Sequence, residues 1–482
     1  MILVKEWLVN GETATPTPRL EETANRIKFQ SNQGFEVGGT VLRLTPQSVI
    51  FELCSPDSFL RLSEVLEEFK IFANERQIYF GKAVVTSMVN SGTATICETS
   101  LENALWDMEL FQIGETENIL PNAFHGFMNR WQKFYKILPE YKLAIADMQN
   151  LLHEMRLWLD QLELGISGLP LPERQRLEQA ILRELPAAPI VNTLFHRFEL
   201  VAASVPKDLI PAHRTYCHRQ LHPLLLCAPF MHRIFAKPLG YAGDYEMIDM
   251  IIRDKHEGNS LFAKFLHAYI IAQAPAESVR VRATYFTRKF VEEANRVVKT
   301  GRAVNIFSLG CGPAREVENF MAEYSLSDQA HFRLLDFSEE TLKYTGAKMQ
   351  ALREKYNRKT RIDMVKKSVY SFLKDAGKPV SGERYDLIYC SGLYDYLNDE
   401  VCETLNSYLY ERLSPGGALI VTNFDPYNPI RQIMEHIFDW FLIHRDGKQL
   451  GALAPKQASP DDCKVTADPT GCNVFLEVRK PS

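Results

Sequence analysis

Hydrophobic and polar positions change their period twice along this chain. Residues 25 to about 110 carry short β-rich runs, "NRIKFQ", "GGTVLRLTPQSVIFEL", "RQIYFGKAVVTSMVN" and "GTATICETS", separated by turn residues. Alternation of this kind, bounded by Gly, Pro and Asn, predicts a small β-barrel or sandwich. The intervening "PDSFLRLSEVLEEFKIF" mixes charge into its apolar positions and fits either a short helix or an edge segment. From about residue 113 to 300 the apolar positions recur every three or four residues, as in "EYKLAIADMQNLLHEMRLWLDQLE" and "ESVRVRATYFTRKFVEEANRVVKT". That spacing predicts helices, and the Pro-rich breaks "SGLPLPERQ", "ELPAAPIV" and "LHPLLLCAPF" divide them.

The last 180 residues alternate strand with helix. "AVNIFSLG", "HFRLLDF", "RIDMVKKSV", "YDLIYCSG" and "GGALIVTNF" read as strands set between helical stretches, and "CKVTADP" and "NVFLEVRK" as a closing hairpin. Five βα units followed by an antiparallel hairpin describe a doubly wound sheet, with its ligand crevice at the carboxyl ends of the central strands. The expected organisation is thus a barrel over residues 1–112, a helical lid or substrate domain over 113–300, and an α/β domain over 301–482.

Composition removes several function classes. Among 482 residues, 55 basic and 60 acidic side chains are interspersed and sum to −5, which leaves no electrostatic footprint for nucleic acid. Lys5 and Glu6 interrupt the only apolar stretch at the start, unlike a signal peptide, and no run approaches a membrane span. Nine scattered cysteines form neither a disulfide framework nor a paired zinc pattern. A cytoplasmic protein is expected.

The chemistry concentrates in "SLGCGPAREVENF", where a strand runs into a helix through two glycines. Gly310 can adopt a conformation closed to other residues, and Gly312 leaves room for a ligand against the backbone. The second strand ends at Asp336, about 26 residues later, near the spacing at which an acidic side chain accepts hydrogen bonds from ribose hydroxyls. The third glycine of the dinucleotide fingerprint is missing, since Pro313 to Glu316 take its place, so a nucleoside with an amino-acid tail fits better than a pyrophosphate.

With "LGCGP", Asp336, "YDLIYCSGLYDYL", "LSPGGALIVTNF" and the terminal hairpin, residues 301–482 resemble the class I S-adenosylmethionine-dependent methyltransferases. The resemblance implies a Rossmann-like seven-stranded sheet and S-adenosyl-L-methionine as cofactor. It implies cofactor contacts from Gly310, Cys311, Gly312, Pro313, Asp336, Phe337 and Ser391. At the third strand's end, where the family usually carries an acidic residue, this chain has Ser368 and Val369. "FAKPLGYAGDYEMIDMI" and "FDWFLIHRDGKQLGALA" further resemble the group named extracellular factor 3-hydroxypalmitic acid methyl ester biosynthesis proteins. That likeness implies methylation of the carboxylate of a small lipophilic acid such as a hydroxy fatty acid.

Methyl transfer to a carboxylate needs positioning and desolvation more than a base. Orienting such an acid needs a cation or hydrogen-bond donors together with apolar walls. Lys237, Tyr241 and Tyr245 in "KPLGYAGDY" and His444 and Arg445 in "FLIHRD" are the nominees. "GYAGDY" reads as a lid that places Tyr241 and Asp244 over the crevice. Tyr394 and Asp395, after the fourth strand, point toward the reaction centre. For a hydroxyl or amine acceptor, Asp395 and His444 are the candidate bases.

Other signals are weaker. His213, Cys217, His218 and His222 fall within ten residues, but aromatic helix positions paired with carboxylates explain them better than a metal, and none is expected. Cys311 lacks a basic neighbour in sequence and reads as a small buried residue rather than a nucleophile. The barrel faintly resembles PilZ domains, receptors for cyclic di-GMP. Arg26 matches one arginine of that family's basic segment, but Gln30 replaces the second, and Thr45 with Ile50 or Phe51 departs from its turn. The barrel is therefore expected to be a degenerate PilZ-like module for docking to a protein partner or a homodimer. The rival reading for the whole chain is a regulatory or scaffold protein whose cofactor domain does not turn over, and a third is a methyltransferase acting on a protein or carrier-bound acceptor.

Overall fold

The computed structural model describes residues 25–482 except 32–35, 46, 54–59, 74–75, 91–94, 103–123, 126–127, 130, 133–135, 185–188, 254–255, 370–372 and 374–382. Strands β1 (Arg26–Gln30), β2 (Glu36–Leu44), β3 (Ser48–Leu53), β4 (Val65–Ala73), β5 (Arg76–Asn90) and β6 (Thr95–Leu101) close into a barrel of order β1-β2-β3-β6-β5-β4. Their alternate apolar positions point inward, so that Phe69 meets Phe29 at 5.7 Å and Phe51 at 5.8 Å in the centre. The segment ambiguous in sequence contributes β4, which pairs with both β1 and β5. Those two ladders, rather than its own pattern, decide its conformation.

The helical region comprises α1 (Pro139–Ile166), α2 (Leu171–Glu184), α3 (Pro189–Ala203), α4 (Ile210–Leu225), α5 (Pro229–Ala236), α6 (Tyr245–Arg253), α7 (Leu261–Ile271) and α8 (Ala274–Val298). Its core takes in Ile433, Ile437 and Phe438 from the C-terminal part of the chain, so the two regions share apolar packing. Helix α8 buries the stripe Val279, Arg282, Phe286, Phe290 and Val297, with Phe290 within 5.3 Å of both Phe332 and Tyr389 of the sheet. Arginine on such a stripe is costly to bury, which marks it for attention.

Strands β7 (Val304–Leu309), β8 (Ala330–Asp336), β9 (Arg361–Lys366), β10 (Tyr385–Cys390), β11 (Leu413–Phe424), β12 (Cys463–Ala467) and β13 (Asn473–Arg479) form one sheet of order β12-β13-β11-β10-β7-β8-β9. The ladders from β9 to β11 are parallel, and the β12–β13 hairpin adds antiparallel to β11. The order reverses between β8 and β10 around β7, and this opens a crevice at the carboxyl ends of β7 and β10. Among the described residues no helix is long and apolar enough to cross a membrane.

One buried cation holds the far wall of that crevice. The Arg445 guanidinium donates to Tyr394 O at 2.9 Å, Asn423 Oδ1 at 2.7 Å, Leu397 O at 2.6 Å and Asp399 Oδ1 at 2.6 Å. It thereby ties the segment after β10 to β11, and all its donors are spent on the fold. The expectation that Arg445 orients an acceptor is corrected accordingly. Replacing Arg445 with Met orphans buried carbonyls and should destabilise the protein by about 3 kcal/mol, read as a lowered thermal midpoint. An unchanged midpoint with lost turnover would instead return Arg445 to the acceptor site.

Candidate active site

The turn after β7 is shaped as its glycines require. Gly310 and Gly312 have φ of 71° and 51°, and a side chain built on Gly312 would meet nothing within 4 Å. That position faces open space, which suits a ligand lying on the backbone. The Gly310 and Cys311 N–H groups both donate to Leu335 O at 2.9 Å, pinning the loop to β8. Asp336 completes the cradle: its carboxylate accepts from Gly312 N at 3.1 Å and Ser338 N at 2.9 Å. Burial pushes its acidity down, raising the pKa against the pull of these N–H groups. A carboxylate has about four acceptor sites, so these N–H groups leave capacity for a ligand's hydroxyls.

A single cavity of about 1530 Å³, counting its mouth, runs from this cradle into the helical region. Gly310, Cys311, Gly312, Pro313, Asp336, Phe337, Val369 and Ser391 line its polar end, whereas Ser368 stands outside the lining. Burial pushes the Cys311 thiol well up, which leaves it inert as a nucleophile. The other end is apolar, walled by Phe230, Ile234, Ile251, Ile270, Met434 and Phe438.

Where the two ends meet stand Asp395, Tyr396, Arg282 and Glu316. Asp395 is 2% exposed, accepts from Phe424 N at 2.6 Å, and is pushed up to about 7 by burial, against the opposing pull of that N–H and of Arg282 and Arg445. Burial also raises Glu316, which accepts from the Tyr389 hydroxyl at 2.8 Å. The Arg282 guanidinium is lowered by burial and supported by the nearby Asp395 and Glu316 carboxylates, yet its Nη1 has no hydrogen-bond partner among the described residues. A side chain at Gly392, φ 87°, would come within 3.0 Å of that same atom. Glycine at this position thus leaves the guanidinium room to stand buried with that nitrogen unsatisfied, a state that an anionic ligand in the cavity would relieve.

The other nominated residues divide. Tyr241 lines the cavity with its ring 5.2 Å from Phe337, and burial raises its hydroxyl pKa. Tyr245 also lines it, donating to Glu340 at 2.8 Å. Asp244 instead caps α6 through Met247 N at 2.8 Å and pairs with Arg233 at 2.9 Å, a positioning role for the Tyr241 segment. Tyr394 is buried away from the cavity, its hydroxyl on Asn406 at 2.7 Å. Lys237 donates to the carbonyls of Phe438 and Asp439 at 3.3 and 2.9 Å, and so supports the Trp440 wall from behind. His444 lies outside the lining, lowered to about 4 by burial, with Nδ1 on Leu442 O at 3.1 Å. Polar residues beside a turn were read as ligand contacts, but these satisfy buried carbonyls instead.

Sequence reasoning missed Arg282, Arg61 and Trp440. Arg282 carried a signal, since it interrupts the apolar stripe of α8 with a charge; Arg61 carried none, being remote in the chain from the other lining residues. Of the histidine cluster, His218 and His222 stack at 4.2 Å and His222 Nε2 contacts Ile437 O at 2.7 Å, while His213 bridges Leu209 O and Leu138 N. Among the described residues, no three His, Cys, Asp or Glu side chains are grouped to hold a metal.

A family described as "Putative methyltransferase" matches residues 239–462, from just before Gly240 to the residue preceding β12, and hence most of the cavity lining. No curated protein sequence matches the chain. Among solved structures, a possible exported protein from Bordetella parapertussis is similar at 17% identity, covering 64% of this chain and 99% of its own, with a TM-score of 0.41. The N-methyltransferase NodS from Bradyrhizobium japonicum WM9, in complex with S-adenosyl-L-homocysteine, is 12% identical over 41% of this chain and 87% of its own, TM-score 0.28. The magnesium protoporphyrin IX methyltransferase of Synechocystis PCC 6803 is 14% identical over 48% and 93%, TM-score 0.31. The family match covers the glycine cradle and the parallel strands β7 to β11 that carry it.

Proposed function

We propose that this chain transfers a methyl group from S-adenosylmethionine to the carboxylate of a lipophilic acid, with a hydroxy fatty acid as the best-fitting class. The observation that carries the reading is the continuous cavity, polar at the Gly310–Asp336 cradle and apolar beyond Asp395. S-adenosylmethionine supplies an electrophilic methyl on a sulfonium. Asp336 would hold its ribose, the open face of Gly312 its methionine chain, and the unsatisfied Nη1 of Arg282 its carboxylate.

The acceptor's chain would lie in the apolar arm, where burial of each methylene contributes about 0.8 kcal/mol. Its head would meet Asp395. A carboxylate beside a second, ionised carboxylate is repelled, so Asp395 serves this acceptor only when protonated, donating a hydrogen bond. Its pKa of about 7 makes that form available near neutrality. The apolar walls exclude water, strengthening the attraction between unlike charges that the transfer neutralises. A second reading rests on the same residue: ionised Asp395 can take the proton of a hydroxyl acceptor.

Calorimetric titration of the intact protein with S-adenosylhomocysteine should show saturable binding. Asp336→Ala and Arg282→Met should each weaken it tenfold or more, as expected for charge-assisted hydrogen bonds of about 1.5–3 kcal/mol. Binding absent from the intact protein would refute the cofactor assignment. The acceptor class follows from pH. With a carboxylate acceptor, turnover should be highest between about pH 5, where the acceptor itself has ionised, and pH 7, and fall as Asp395 ionises above that, and Asp395→Asn, which keeps a donor, should remain active and lose the fall above pH 7. A rate that instead rises through pH 7 and vanishes in Asp395→Asn would establish the hydroxyl reading.

A further inference from the structure

We propose that the N-terminal barrel is a working part of the cofactor site, with Arg61 capping the adenosine end of the ligand; this rests on the methyltransferase reading above. Arg61 lies just before β4, 169 residues in sequence from Phe230, the nearest other residue lining the cavity (230 against 61), yet it lines that cavity beside Phe337. Its guanidinium stands 4.1 Å from the centre of the Phe337 ring. Phe337 follows Asp336 directly, so the guanidinium sits at the carboxyl tip of β8, beside the carboxylate that would hold the ribose. Its charge is felt at Asp336, Tyr241 and Tyr396 alike. Among the described residues the guanidinium makes no hydrogen bond or ion pair and rests on the aromatic face of Phe337. An arginine held in a cavity with its donors unspent is suited to stack on a planar heteroaromatic base and to donate to its edge.

The position of Arg61 is fixed, not incidental. Two residues on, Ser63 is fully buried at φ 61°, a left-handed conformation that a serine keeps only when its surroundings hold it. They do so from two sides. Ser63 Oγ donates to Phe441 O at 3.0 Å and accepts from Phe441 N, and its own N–H donates to Val85 O at 2.8 Å. Val65 N donates to Gly240 O at 2.9 Å. The barrel segment therefore clamps two walls of the cavity: the stretch bearing Tyr241, and the stretch bearing Trp440 and Leu442. Tyr396 and Ile443 pack against the barrel core itself. A module attached only for docking elsewhere would need none of these contacts with the site.

The test compares the full-length protein with its Arg61→Ala, Arg61→Lys and Ser63→Ala variants. Each is titrated calorimetrically with S-adenosylhomocysteine and with 5′-methylthioadenosine, which carries the adenosine without the amino-acid tail. Arg61→Ala should weaken both ligands by the same factor, about tenfold, at an unchanged thermal midpoint of the free protein. Arg61→Lys should recover only part of the loss, because an ammonium does not stack. Ser63→Ala, which touches no ligand, should weaken both through the displaced segment. In the unaltered protein, added S-adenosylhomocysteine should slow amide hydrogen exchange across residues 60–66, a readout that does not depend on any variant folding. Wild-type binding that Arg61→Ala leaves within twofold, or exchange at 60–66 that the ligand leaves unchanged, overturns the inference while leaving the methyltransferase reading intact. Failure of the wild type to bind either ligand overturns both.

Discussion

The architecture turns on a guanidinium buried where solvent cannot compensate it. Arg282 projects from the apolar stripe of α8, the same stripe whose Phe286 and Phe290 fasten the helical region to the sheet. Burying a charge is tolerable only beside opposite charge and hydrogen-bond acceptors. Asp395 in the segment after β10 and Glu316 in the first turn after the glycine loop supply the charge, and Gly392 supplies the room. The helix, the first crossover and the fourth strand are therefore arranged around one cation. The acceptor it still lacks is, on the present account, the carboxylate of the bound cofactor.

That arrangement explains why one cavity has two characters. The cradle end is built from backbone N–H groups and a carboxylate at strand tips, positions that a doubly wound sheet leaves open. The arm is built from α5, α6, α7 and the later helix Arg431–Ile437, whose apolar faces close on one another and leave a channel where they meet. Asp395 lies between them, and its raised pKa comes from the same desolvation that makes the arm hospitable to an acyl chain. Chemistry and substrate class are thus two consequences of excluding water. The barrel extends this enclosure, since its Arg61–Val65 segment closes the mouth beside Phe337 and holds two of the walls.

How much of this can be read from the sequence depends on the range of the interactions involved. The glycine turn, Asp336, the strand succession and the barrel's alternation are local patterns, and all appear in the structure where their spacing puts them. β4 was ambiguous because its own residues do not choose between helix and strand; its partners β1 and β5 do. Arg282 was legible in principle, as a charge on an apolar helix face. Lys237, His444 and Arg445 misled because a polar residue near a turn looks the same whether it meets solvent, a ligand or a buried carbonyl. Only the positions of Phe438 O, Leu397 O and Tyr394 O, distant in the chain or hidden in a bend, reveal that those side chains serve the fold. Arg61 was invisible for the same reason: its meaning lies in a contact with Phe337, far along the chain.

The central claim is that the cation of α8 and the tip of β8 grip opposite ends of one S-adenosyl ligand. A crystal structure of the full-length protein with S-adenosylhomocysteine tests it most directly. The account predicts the ligand's carboxylate against Arg282, its ribose hydroxyls on Asp336 and its sulfur facing Asp395, with the apolar arm left free for an acceptor. Ligand density elsewhere, or a carboxylate that ignores Arg282, would contradict it.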